Sequence, residues 1–251
     1  MSIRAAAAAA AFALLAVSCS SAPSAKERER AEIHYNLGVE ALRANRLQEA
    51  LKEFDEALSG DEAFADAHLG RGLVLEYGYS RLDDAEKEYR RAIELRPSYS
   101  EAHNNLGQLL AKRGRLPEAV AEFDAALENM LYKEPYVARC NKGEALNRLG
   151  RRDEGVAELK LCLQSNPSYC FGYRTLGLVR MDEGNGAAAV DAFEKYSQHC
   201  PQSADAWLQL GLANLRAGNA QKARDAFEKC ESAGKLGDVA DECRRRRAVL
   251  Q

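Results

Sequence analysis

The side chains in this chain with the widest chemical range are seven cysteines, at positions 19, 140, 162, 170, 200, 230 and 243, and four histidines, at 34, 68, 103 and 199. Imidazole and thiolate are the usual zinc ligands, and both serve hydrolases as base or nucleophile. His34, His68 and His103 could be taken for a metal-binding trio, but they recur at intervals of 34 and 35 residues. Such intervals mark a structural period, so the three are expected to be framework residues. No H-E-x-x-H, G-x-S-x-G, Walker or glycine-rich dinucleotide motif is present. Neither an enzyme nor a cofactor, metal or small-molecule substrate is expected.

The elements that must carry these residues repeat along the chain. Leu37-Gly38 is followed by Gly72, Leu106-Gly107, Gly143, Leu176-Gly177 and Leu210-Gly211, at spacings of 34, 35, 36, 34 and 34. About twelve residues after each glycine stands a small residue, with one extra residue in the second unit: Ala50, Ala85, Ala119, Gly155, Ala189 and Ala223. Four residues further on comes a bulky one: Phe54, Tyr89, Phe123, Leu159, Phe193 and Phe227. Small residues let two helix backbones approach, and the bulky side chain one turn later plugs the gap between them. Each unit is therefore a helical hairpin, with turn signals such as Lys112-Arg-Gly-Arg115 between its helices. A hairpin alone cannot bury its apolar faces, but six in series can.

This pattern resembles the tetratricopeptide repeat, most closely at Trp207-Leu-Gln-Leu-Gly211, Ala223 and Phe227. The resemblance implies an all-α, right-handed superhelix (α-solenoid) of six repeats at 31–64, 65–99, 100–135, 136–169, 170–203 and 204–235, with a C-terminal capping helix in 236–251. The three histidines then fall at position 4 of their repeats. Repeat 4, with Gly155, Leu159 and Cys162, is the weakest match and is expected to pack loosely. Two extra residues and Tyr132-Lys-Glu-Pro135 lengthen the connection into it. In the capping helix, Val239, Cys243 and Leu250 are expected along one face. Net charge is −3, which gives no positive field for nucleic acid. Arg244 to Arg247 suit the negative end of a final helix better than a nucleic-acid patch.

The N-terminus reads as a lipoprotein signal peptide over 1–18. Ala5 to Val17 is an uncharged apolar run too short to span a bilayer. Leu15-Ala16-Val17-Ser18-Cys19 resembles the bacterial lipobox, with Ala16 where Leu is commoner. The resemblance implies that Cys19 carries the lipid, that 19–30 is a tether, and, with Ser20 next, that the mature protein sits on the periplasmic face of the outer membrane.

In an oxidising compartment the remaining six cysteines are candidates for bridging. In such a hairpin, position i of the first helix lies opposite roughly position 32 − i of the second. Cys140 and Cys162 occupy positions 5 and 27, and Cys170 and Cys200 positions 1 and 31, while Cys230 and Cys243 flank the turn before the capping helix. Three local bridges are plausible. A Cys162–Cys170 pairing, or buried thiols standing in for alanine, stay open.

The concave face of the solenoid would present apolar residues in repeats 1 and 2, namely Tyr35, Val39, Leu42, Leu69, Leu73 and Tyr77. A polar middle with Asn104, Gln108, Lys112, Glu144, Asn147 and Arg148 separates them from Phe171, Leu178, Met181, Leu208, Leu212 and Leu215. Apolar residues aimed at solvent point to a bound peptide, unless neighbouring helices or the tether cover them. The whole layout, with Asn104-Asn-Leu-Gly107 opening repeat 3 and the lengthened connection before Asn141-Lys-Gly143, resembles the pilotins of type IV pili. That resemblance implies an outer-membrane lipoprotein that binds secretin subunits and promotes their localisation and multimerisation. A scaffold for another envelope machine, serving outer-membrane protein insertion, cell-wall synthesis or division, is the alternative.

Overall fold

The computed structural model describes residues 22–234 and 237–250, so Cys19 and the run before it lie outside the described residues. Six hairpins follow one another: α1 (Ala25–Arg43) with α2 (Leu47–Gly60), α3 (Ala65–Leu73) with α4 (Leu82–Leu95), α5 (Ser100–Lys112) with α6 (Leu116–Glu128), α7 (Pro135–Arg148) with α8 (Arg152–Ser165), α9 (Cys170–Asp182) with α10 (Gly186–His199), and α11 (Ala204–Arg216) with α12 (Ala220–Gly234). A last helix, α13 (Asp238–Ala248), closes the stack. The fold is an all-α solenoid with no strand among the described residues.

Local chemistry sets the ends of the helices. Ser24 caps α1 in a capping box with Glu27, so the helix starts at Ala25, within the stretch read as tether. Each hairpin turn places a residue in the left-handed region: Asn45, Ser80, Gly114, Gly150, Gly184 and Gly218. The next amide then donates back into the finished helix, as Arg115 N does to Leu110 O at 2.9 Å. In the second hairpin this bond reaches one residue further, from Arg81 N to Leu75 O at 2.8 Å. The extra residue of that repeat is absorbed by a π turn over Val74–Gly78. Single π turns of this kind commonly mark sites of function.

The six bulky residues are fully buried, each against its glycine. A Cβ on Gly107 would stand 2.6 Å from the Phe123 ring, so the ring occupies the room that only glycine leaves. Repeat 4 departs from the expectation of loose packing. A Cβ on Gly155 would lie 2.8 Å from the Gly143 carbonyl oxygen, because the smaller Leu159 and two glycines let α7 and α8 meet backbone to backbone.

All six remaining cysteines are paired. Cys140–Cys162 joins α7 to α8 with Cα atoms 5.5 Å apart, Cys170–Cys200 joins the two ends of the α9–α10 hairpin at 6.1 Å, and Cys230–Cys243 joins α12 to α13 at 6.1 Å. The first two are the pairings of the hairpin arithmetic, the third closes the turn that Cys230 and Cys243 flank, and Cys162 does not pair with Cys170. The capping helix buries Ala240 and Cys243, whereas Val239 is exposed, one position off the face expected for it. Each arginine of the run is paired in place: Arg244 with Asp241, Arg245 and Arg246 both with Glu242, and Arg247 with Glu231. No described helix is long and apolar enough to cross a membrane.

Candidate partner-binding groove

The position-4 residues are held in a repeating ladder. His34, His68 and His103 each direct Nδ1 to a carboxylate on the second helix of the same hairpin, namely Glu53, Glu88 and Glu122, at 2.7 to 2.8 Å. Nε2 of His68 and of His103 faces the carbonyls of Glu62 and Pro97 at 3.0 Å. Arg139 reaches Glu158 in repeat 4, and the Trp207 indole donates to the Pro201 carbonyl in repeat 6. These rings are spent on framework bonds, as the period implied.

One of them carries a pH signature. Burial alone would lower the pKa of His103, but the Glu122 carboxylate and the Pro97 carbonyl hold it above its ordinary 6.5. The fold thus prefers the imidazolium. Its stabilisation is complete below pH 6.5 and is lost as pH rises through the raised value. His103→Gln should therefore flatten the decline of melting temperature above pH 6.5 relative to the parent. An unchanged slope would remove the histidine from the account.

The concave face differs from the sequence expectation. Of the six residues expected to project in repeats 1 and 2, Leu69 is only 8% exposed and belongs to the core shared with Tyr89 and Leu106. Tyr35 is half-buried, with its ring 5.1 Å from that of Phe64 and 6.1 Å from that of Phe54. Val39 and Leu42 pack on the Phe54 cluster, and Leu73 on the next one. Successive hairpins use this strip to adhere to one another, so neighbouring helices cover it. Tyr77 stands apart, at 61% exposed.

Tyr77 lies on the π turn at the rim of a concave cavity of about 400 Å³ that runs toward repeat 5. Its lining includes Glu76, Lys112, Glu144, Arg148 and Phe171. Glu76 is 3% exposed and was not singled out by the sequence, where the extra residue of repeat 2 was the available signal. Its carboxylate accepts a hydrogen bond from Tyr89 Oη at 3.0 Å and lies 3.7 Å from Lys112 Nζ. Burial pushes the Glu76 carboxyl above its ordinary 4.5, against the pull of Tyr89 and Lys112. Asn104 is buried and accepts from Asn141 Nδ2 at 2.9 Å, so it supports the groove wall. In repeats 5 and 6, Phe171, Leu178, Met181, Leu208, Leu212 and Leu215 are half-buried between hairpins.

Profiles of the tetratricopeptide repeat match residues 35–78, 76–129 and 174–235, and a second profile of the same repeat matches 136–169. The chain belongs to the tetratricopeptide repeat family. Among solved structures it is similar to PilW, described as a widely conserved type IV pilus biogenesis factor, with 27% identity and a TM-score of 0.78 over 84% of this chain and 97% of that one. It also shares its fold with Pseudomonas aeruginosa PilF, at 19% identity and a TM-score of 0.74 over 88% and 99% of the two chains. A curated relative is human tetratricopeptide repeat protein 6, 23% identical over 64% of this chain and 37% of its own length. The chain thus spans well under half of that relative. Fold and relatives are those of non-catalytic scaffolds and adaptors.

In tetratricopeptide terms, two further exposed residues have a simple origin. Ile33 and Leu37 occupy positions 3 and 7 of repeat 1 and are both exposed. Ala102 and Leu106, their counterparts in repeat 3, are buried in one cluster with Tyr89 and Ala92 of the hairpin before. Repeat 1 has no preceding hairpin among the described residues, so the same face stays open. The position of repeat 1 in the series was enough to find them.

Proposed function

We propose that this protein is an outer-membrane lipoprotein that binds secretin subunits of the type IV pilus and promotes their localisation and assembly into the pilus pore. The observation that carries the reading is the near end-to-end likeness to PilW, a type IV pilus biogenesis factor. The lipobox-like Leu15 to Cys19 supports attachment through Cys19, and the concave cavity beside Tyr77 supports a groove for a protein segment. Removing the protein should leave the secretin as monomers in the envelope. Secretin multimers persisting at the parental level would refute the role. Separately, a clickable palmitate analogue should label the parent and leave Cys19→Ala unlabelled, and equal labelling of the two would refute the anchor.

A further inference from the structure

Residues Met130 and Leu131 are 97% and 86% exposed, adjacent, and set at the tip of the lengthened connection between α6 and α7. The turn that presents them is firmly built. Asn129 Oδ1 accepts from Leu131 N at 3.0 Å, the Asn129 carbonyl accepts from Tyr132 N at 3.1 Å, and Asn129 Nδ2 donates to the Ser98 carbonyl at 3.1 Å. An apolar pair fixed in water is a cost without a partner to cover it.

The position of the turn on the solenoid indicates the partner. In antiparallel hairpins, the connections between repeats share one edge with the start of α1. That edge can be followed by contact. The end of α2 at Gly60 lies against the Glu27 carbonyl of α1, Tyr99 Oη of the next connection donates to Asp66 at the start of α3 at 2.6 Å, and Asn129 binds Ser98. Only Ser20 to Ser24 separate Cys19 from α1, a reach of at most about 18 Å when fully extended. A lipid on Cys19 would hold this edge against the leaflet.

We infer that Met130 and Leu131 insert into the lipid leaflet that holds the Cys19 anchor, as a second, unacylated membrane contact. The inference rests on the anchored reading of the preceding subsection. Glu128 and Glu134 flank Lys133 beside the tip, so the local charge is not positive. The contact therefore draws on apolar burial and is insensitive to salt, unlike a basic patch.

The test uses the full mature protein, purified from membranes and reconstituted into phosphatidylethanolamine–phosphatidylglycerol vesicles, with Leu131→Trp and, on the opposite edge, Asp182→Trp. Emission from the tryptophan at 131, measured against the Trp207 background of the parent, should shift to the blue and be quenched by acyl-chain-brominated lipid at low and high salt. Emission from the tryptophan at 182 should stay unquenched. Protein that fails to float with the vesicles refutes the anchor and this contact together. Floating protein without quenching at 131 refutes the contact and leaves the anchor standing. A blue shift that appears only when secretin is added assigns the tip to a protein partner and overturns the inference.

Discussion

Reducing the three disulfides should unfold the chain from α8 onward while α1 to α7 keep most of their stability. Cys140–Cys162, Cys170–Cys200 and Cys230–Cys243 all lie beyond residue 139, and each ties together helices that are already neighbours. The middle repeats are held differently. One continuous core gathers Tyr89, Leu106, Leu109, Leu110, Phe123 and Leu146 across three hairpins, whereas the buried residues beyond repeat 4 fall into smaller clusters. Closing loops of this size is worth about 3 kcal/mol per bridge in the chain-entropy account. In a solenoid, stability is close to a sum over neighbouring units, so such a loss is felt where it occurs. Hydrogen exchange of the oxidised and reduced protein should show protection lost first from α8 to α13. Uniform loss along the chain, or none, would count against a C-terminal half that depends on its bridges.

Much of the solenoid is readable in the one-dimensional pattern because its determinants are local. A glycine, a small residue twelve positions on and a bulky one four later specify a hairpin whatever lies beyond it, and Gly107, Ala119 and Phe123 meet as that spacing demands. The Cys140–Cys162 and Cys170–Cys200 bridges accord with the same hairpin geometry. The groove was less legible because exposure there depends on how one hairpin sits on the next. Leu69 and Leu73 occupy concave positions, yet the packing between repeats consumes them. The extra residue in repeat 2 was visible as a count. Its consequence, a π turn that buries Glu76 and turns Tyr77 outward, depends on how the helix absorbs an insertion.

The exposed tyrosine on that turn should dominate partner binding. If the partner is the secretin proposed above, Tyr77→Ser is expected to weaken its binding by about thirtyfold or more, the loss of an aromatic anchor worth about 2 kcal/mol, with the melting temperature unchanged. Arg148→Ala, at the far side of the cavity, should weaken it less, because exposed charges at a rim contribute little. Leu73→Glu is the instructive comparison. Its side chain packs against the core of repeats 2 to 4, so the charge should lower stability as well as binding, which makes it a poor reporter of the site. Titration of each purified variant with secretin, alongside its thermal melt, separates the effects. If Tyr77→Ser binds as the parent does while Leu37→Glu does not, the partner sits on the open face of α1 that no preceding hairpin covers, and the concave cavity is not the binding site. Loss through Tyr77 alone would instead place the partner against the π turn, where one inserted residue sets an aromatic ring at the mouth of a groove floored by a buried carboxylate.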